Sequence, residues 1–307
     1  MLQSVRWSKT RIDCFNSCQR AYWYSYYGAR KGWRKTAGPD SKEIYILKNL
    51  SSRWSWVGSG VHDTIAEILT EYRDFRVVVP FSEAKQRLTS LLTSRYWESR
   101  NKEYWHKKAY ALAEHEYDIK LPVGTWASLQ KEAVQCLENF YSIPLYTEIY
   151  NSNPKRWQLI DTPQRAMIGD TPAWFTPDFA FDNNGVCRII DWKCGKDLSK
   201  SAEYQLVIYS TFANKVWGYD KDKISLVEAK LLFPKVLEYE PPSSSDYLIS
   251  SIKSEYLKLL TKLQNPEVDD VSKDTCPPTV SNNCTWCNFR KLCMKDGTLN
   301  TTPLTNE

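Results

Sequence analysis

The chain has 307 residues, 42% hydrophobic and 25% charged, with a net charge of +5. That is enough for one large domain or two small ones with ample core, and the mild basic balance suits a nucleic-acid partner without amounting to a basic tail. No apolar run reaches the length of a membrane span and MLQSVRWSKT lacks the apolar core of a signal peptide, so a soluble, cytoplasmic protein with no membrane partner is expected. Nine cysteines in a reducing compartment do not make a disulfide framework, so clustered ones are read first as metal ligands. The 13 Trp and 19 Tyr suit stacking surfaces as well as ordinary cores.

From Ser8 to Tyr24 the pattern is a short helix followed by an aromatic-rich one. Cys14 and Cys18 lie four apart on one helical face, and taken alone they read as packing residues. The stretch ARKGWRKTAGPD (29–40) is a basic loop. Arg30, Lys31, Arg34 and Lys35 are either solvated there or available to phosphates. Ser41–Leu50 reads as helical, and Gly58-Ser59-Gly60 reads as a bend into a helix with apolar positions at 61, 65, 68, 69 and 72. His62 falls in its first turn, a packing residue or a candidate ligand. Residues from about Ser82 to Ile143 are helical in period, broken at Pro122-Val123-Gly124. His106 and His115 are expected on exposed faces and Cys136 in the core. The segment 64–150 reads as a helical lobe that shapes a substrate channel.

A β-rich section opens near Trp157. Trp174–Asp182 and Val186–Lys193 read as strands flanking Asn184-Gly185, a dipeptide suited to a two-residue turn with positive φ at both positions. Counting outward from that turn sets Asp178 across from Asp191, with Lys193 on the same face. Opposed carboxylates repel unless something lies between them, and a divalent cation is the hard partner they prefer. The plainer reading is a solvated face of mixed charge. Ile189, Ile190 and Trp192 argue for burial, and buried carboxylates need a partner.

Beyond the hairpin, Ser199-Lys200-Ser201 can cap a helix over about 202–215, with Gln205 and Tyr209 on one face. Two further strands, KISLVEAKLLF and KVLEYE, complete an α/β alternation, and a helix with period set by Leu248, Ile252, Tyr256, Leu259 and Leu263 follows. Near the end stands Cys284-x2-Cys287-x5-Cys293, three thiols spaced to wrap one metal centre. Zinc and an iron–sulfur cluster both accept four thiolates, the fourth being Cys276, Cys18 or Cys14 by spacing alone. Residues from about Lys295 read as disordered.

The run PDFAF…RIIDWKCGK with Gln205-x3-Tyr209 resembles the PD-(D/E)XK nucleases of the RecB-like branch. Their pattern of an upstream histidine, a first Asp, D-x-K and Q-x3-Y falls on His62, Asp178, Asp191, Lys193, Gln205 and Tyr209. A subset, the CRISPR-associated adaptation nucleases and AddB-type repair subunits, adds an N-terminal cysteine and a C-terminal C-x2-C-x5-C that hold a 4Fe–4S cluster. The matching positions are Cys18 (followed by Gln19, where the family has proline), Cys284, Cys287 and Cys293. Cys14 and Cys276 have no counterpart.

The resemblance implies one RecB-like nuclease domain over 1–307. Its fold would be a restriction-endonuclease-like mixed sheet flanked by helices. Cluster-binding segments would lie at 1–30 and 270–295, a helical insertion at 64–150 and a disordered tail at 296–307. It implies a DNA nuclease, more an exonuclease than an endonuclease, using Mg²⁺ or Mn²⁺ on His62, Asp178, Asp191 and the Trp192 backbone carbonyl. Lys193 would orient the attacking water, Gln205 and Tyr209 would position DNA or support Lys193, and the cluster would be a structural clasp. DNA is the implied partner, single-stranded or at ends, with a helicase or integrase as a further one. The competing readings are an idle DNA-binding or assembly subunit on the same fold, and a restriction-type enzyme with zinc in place of the cluster.

Overall fold

The structure, a computed structural model, describes residues 5–196, 201–242 (201–204 by backbone alone), 244–263 and 271–299. Among the described residues seven strands form: β1 Trp157–Ile160, β2 Gln164–Ile168, β3 Thr171–Phe175, β4 Phe179–Asn183, β5 Val186–Lys193, β6 Ile224–Lys230 and β7 Lys235–Tyr239. Five of them make one sheet in the order β1-β4-β5-β6-β7, and β2 and β3 pair as a separate ribbon. In the large sheet only β5 and β6 run parallel, joined through the crossover helix Ser201–Phe212.

The expected single strand over Trp174–Asp182 is two strands. Pro177 lies in the gap, and with no N–H to give it cannot continue a ladder. The hairpin register is the one counted from the Asn-Gly turn. Asn184 and Gly185 have φ of 53° and 90°, Asn183 pairs with Val186, and Phe179 pairs with Ile190. The next step outward brings Asp178 level with Asp191.

Alternation along the strands feeds two apolar layers. Phe179, Phe181, Ile190, Trp192, Val227 and Ala229 pack under the helices Arg53–Phe75, Phe81–Arg100 and Thr125–Ser142. Ala180, Cys187, Ile189 and Leu226 pack under Ser201–Phe212, Asp246–Leu263 and the N-terminal segment. The result is the expected α/β mixed sheet flanked by helices.

The expected bend at Gly58-Ser59-Gly60 is uninterrupted helix, so His62 stands well inside Arg53–Phe75. Gly60 serves close packing there: a Cβ would come within 2.5 Å of Leu92 Cδ2 on the neighbouring helix. His115 is also inside. It is 6% exposed, with Nδ1 2.9 Å from Ser99 Oγ and its ring 5.1 Å from that of Tyr96. His106 is exposed as expected, and Cys136 is fully buried. The chain stays helical through Lys295 and then folds back, the Leu299 N–H bonding to the Cys293 carbonyl. The expected cap at 199–200 and the tail from 300 lie outside the described residues.

Candidate active site

Burying a strand with an acidic residue in it requires a partner for the charge. β5 does this at Asp191, 3% exposed, whose Oδ2 forms an ion pair with Lys193 Nζ at 2.5 Å. Asp178, just ahead of β4, accepts the Trp192 backbone N–H through Oδ2 at 2.7 Å and faces His62 Nδ1 through Oδ1 at 3.3 Å. The hairpin and a helix from the opposite layer therefore bring His62, Asp178, Asp191 and Lys193 to one place.

The electrostatics follow from that crowding. Burial, then the charge of Asp178, pushes the Asp191 carboxyl above the usual carboxylate range. Burial alone would lower His62, but Asp178, Asp191 and Asp161 around it raise the imidazole above its ordinary value. Lys193 is likewise raised, because Asp191 outweighs the burial that opposes its charge.

Gln205 and Tyr209 do not reach Lys193 among the described residues. Gln205 Nε2 donates to the Tyr209 hydroxyl at 2.6 Å, and that hydroxyl donates to the Thr176 carbonyl at 2.9 Å. The crossover helix is thus tied to the segment that presents Asp178. Of the loop cations, Arg30 donates to the Tyr26 carbonyl and stacks on Tyr27, while Lys31, Arg34 and Lys35 are exposed.

Two acids that sequence periodicity does not single out join the site. Asp161 follows β1 with a φ of +38°, and its N–H bonds to the Asp178 carbonyl at 2.8 Å; it lines one small pocket with His62, Asp178 and Trp192. Glu228 is buried at 4% exposure and pairs with Asp191 across the parallel ladder, as Lys230 pairs with Lys193. Its Oε2 accepts from the Tyr239 hydroxyl at 2.8 Å. E-x-K set in register beside D-x-K was the available signal, hidden inside an apolar strand.

The donors suit a divalent cation in kind: two neighbouring carboxylates, one of them buried, beside an imidazole. Among the described residues, no three His, Cys, Asp or Glu side chains already stand in metal-binding geometry. Lys193 and His62 lie beside these carboxylates and share their charge.

The cysteines gather at a second place. Cys18, Cys284, Cys287 and Cys293, from the two ends of the chain, line a single cavity of about 160 Å³ with Tyr24 and Phe289. Backbone N–H groups approach three of the sulfurs, Thr279 to Cys18 at 3.4 Å, Ser281 to Cys284 at 3.5 Å and Phe289 to Cys287 at 3.4 Å. Such N–H groups favour thiolate, whereas burial pushes the Cys287 and Cys293 thiols up, the latter to about 12. A cationic centre would resolve that conflict. Cys276 is fully buried in the core and Cys14 does not line the cavity.

No curated protein matches the chain. Residues 176–294, which begin at the loop before Asp178 and end just past Cys293, match the model of the PD-(D/E)XK nuclease superfamily.

Proposed function

We propose that the protein is a metal-dependent DNA nuclease, an exonuclease acting on single strands or DNA ends, that carries a structural 4Fe–4S cluster. Its setting would be DNA repair, CRISPR adaptation or phage defence in the cytoplasm. The observation that carries the enzymatic reading is the convergence of His62, Asp178, Asp191 and Lys193 at one end of the β4–β5 hairpin.

His62, Asp178, Asp191 and the Trp192 carbonyl would hold Mg²⁺ or Mn²⁺, with imidazole favouring Mn²⁺. Such an ion supplies Lewis-acid polarisation of the scissile phosphate and a more acidic bound water. Lys193 stays protonated beside Asp191, positioned to neutralise charge growing on the phosphate and to orient the attacking water. The Gln205–Tyr209–Thr176 chain of hydrogen bonds keeps Asp178 in place while the strand is cut. Cys18, Cys284, Cys287 and Cys293 would clasp the two ends of the chain through the cluster, with no redox duty.

One observation bears on the alternative of an idle DNA-binding scaffold: the ion pair with Lys193 by itself gives the buried Asp191 carboxylate a partner. An assay with end-labelled single- and double-stranded DNA decides between the two. The proposal expects Mn²⁺-dependent shortening from an end, abolished by Asp191→Ala or Lys193→Ala in a folded protein. Full cutting by either variant would refute it.

A further inference from the structure

The backbone at Trp7 joins β3 as a short parallel bridge, its N–H bonding to the Pro172 carbonyl while its own carbonyl accepts from Trp174. This sets Arg6 beside Trp174, the guanidinium carbon 5.3 Å from the ring centre. The helix that starts at Lys9 then brings Arg11 over Tyr26 at 4.3 Å, and Lys48 sits over the same ring at 5.4 Å. Arg6, Arg11, Arg30 and Lys48 line one cleft of about 330 Å³ together with Trp7, Ser8, Tyr26 and Trp174. Among the described residues no acid lines it, and there Arg11 and Lys48 have no carboxylate partner.

Aromatic faces hold cations in place without cancelling their charge. Like charges gathered on one ring repel, and an anion entering the cleft relieves that repulsion. A second cavity of about 420 Å³ shares Trp7, Ser8 and Trp174 with the first, is lined also by the Lys9–Asp13 ion pair, and extends to Thr176, Gln205 and Tyr209. The cationic cleft is therefore continuous with the segment that presents Asp178.

We infer that this cleft is a phosphate-binding track for single-stranded DNA, holding the strand that leads to or from the active site on Arg6, Arg11 and Lys48. The identity of the strand rests on the nuclease reading. Each cavity has the size of a small-ligand site, which admits a nucleotide or two of one strand and not a duplex.

The test measures anisotropy of a fluorescein-labelled oligothymidylate with the full chain in EDTA, so that no cutting occurs. Lys48→Gln, which loses no hydrogen bond among the described residues, is expected to weaken binding severalfold. It should also lower the slope of log affinity against log salt by about 0.7, the value for one phosphate contact on a single strand. Arg11→Gln should act alike, though it also loses the bond from Nε to the Tyr22 hydroxyl. Lys85→Gln, on an exposed helical face, should change neither quantity. In the unaltered protein, photocrosslinking of a 5-iodouracil strand should label peptides containing Tyr26 or Trp174.

An unchanged slope in Lys48→Gln, crosslinks confined to other segments, or equal affinity for a duplex of the same length would overturn the inference. So would full competition by inorganic triphosphate at the same concentration, which would make the cleft a site for a small anion. A chain that binds here but never cuts defeats the nuclease reading alone. A chain that cuts while Lys48→Gln binds normally defeats the track alone.

Discussion

Asp178 Oδ2 accepts the backbone N–H of Trp192 at 2.7 Å, one step beyond the last paired residues of the β4–β5 ladder, Phe179 and Ile190. Pro177 ends the strand just before that point, and the carboxylate takes over the bonding that a backbone carbonyl provides further along. One side chain therefore fastens the loop to β5 and brings its charge to Asp191.

Asp178→Asn separates these two duties. The amide oxygen keeps the bond to the Trp192 N–H, and the charge that pushes Asp191 upward is gone. Unfolding measured without metal should show stability unchanged or raised, while cleavage is lost. A loss of more than about 2 kcal/mol, the scale of a buried donor left unpaired, would show that the bond needs the charge.

The cysteine cavity makes a prediction of colour and composition. Protein purified without oxygen should be brown, with about four iron atoms per chain for a cubane cluster. Cys287→Ser should lose the iron and the colour and should melt earlier, because the proposed cluster would tie Cys18 to the C-terminal segment. Cys14→Ser and Cys276→Ser should keep both. A colourless protein holding one zinc would support the zinc reading.

His115 provides a test of the fold away from the chemistry. Burial first, then Arg100 and Lys102, pushes its imidazole down to about 4. The unfolded chain, at the ordinary value near 6.5, therefore binds a proton that the folded chain refuses, and stability falls as pH drops from about 6.5 to about 4. The contribution is about 3 kcal/mol by that difference. Denaturant unfolding at pH 7, 5 and 4 should show a shallower fall for His115→Gln than for the unaltered protein. Identical slopes would mean that the ring is solvated.

Local signals made the hairpin legible. Asn184-Gly185 dictates a turn with positive φ, and strand alternation then fixes which residues face one another. The same local reading placed the helix of Leu248, Ile252, Leu259 and Leu263, all buried. It failed where long-range packing decides. Gly58-Ser59-Gly60 looks like a bend because nothing in the sequence shows that Leu92 of another helix needs the space at Gly60. His115 sits among polar residues, and only the folded chain sets Tyr96 and Ser99 around it. Asp161 and Glu228 enter the site through sheet neighbours distant in sequence, β1 beside β4 and β6 beside β5.

Titration of Mn²⁺ into the metal-free protein, followed by calorimetry, addresses the shared cation itself. The account expects binding in the unaltered chain and its loss in both Asp178→Asn and Asp191→Asn, each still folded. Undiminished binding in either variant, or none in the unaltered chain, would contradict it.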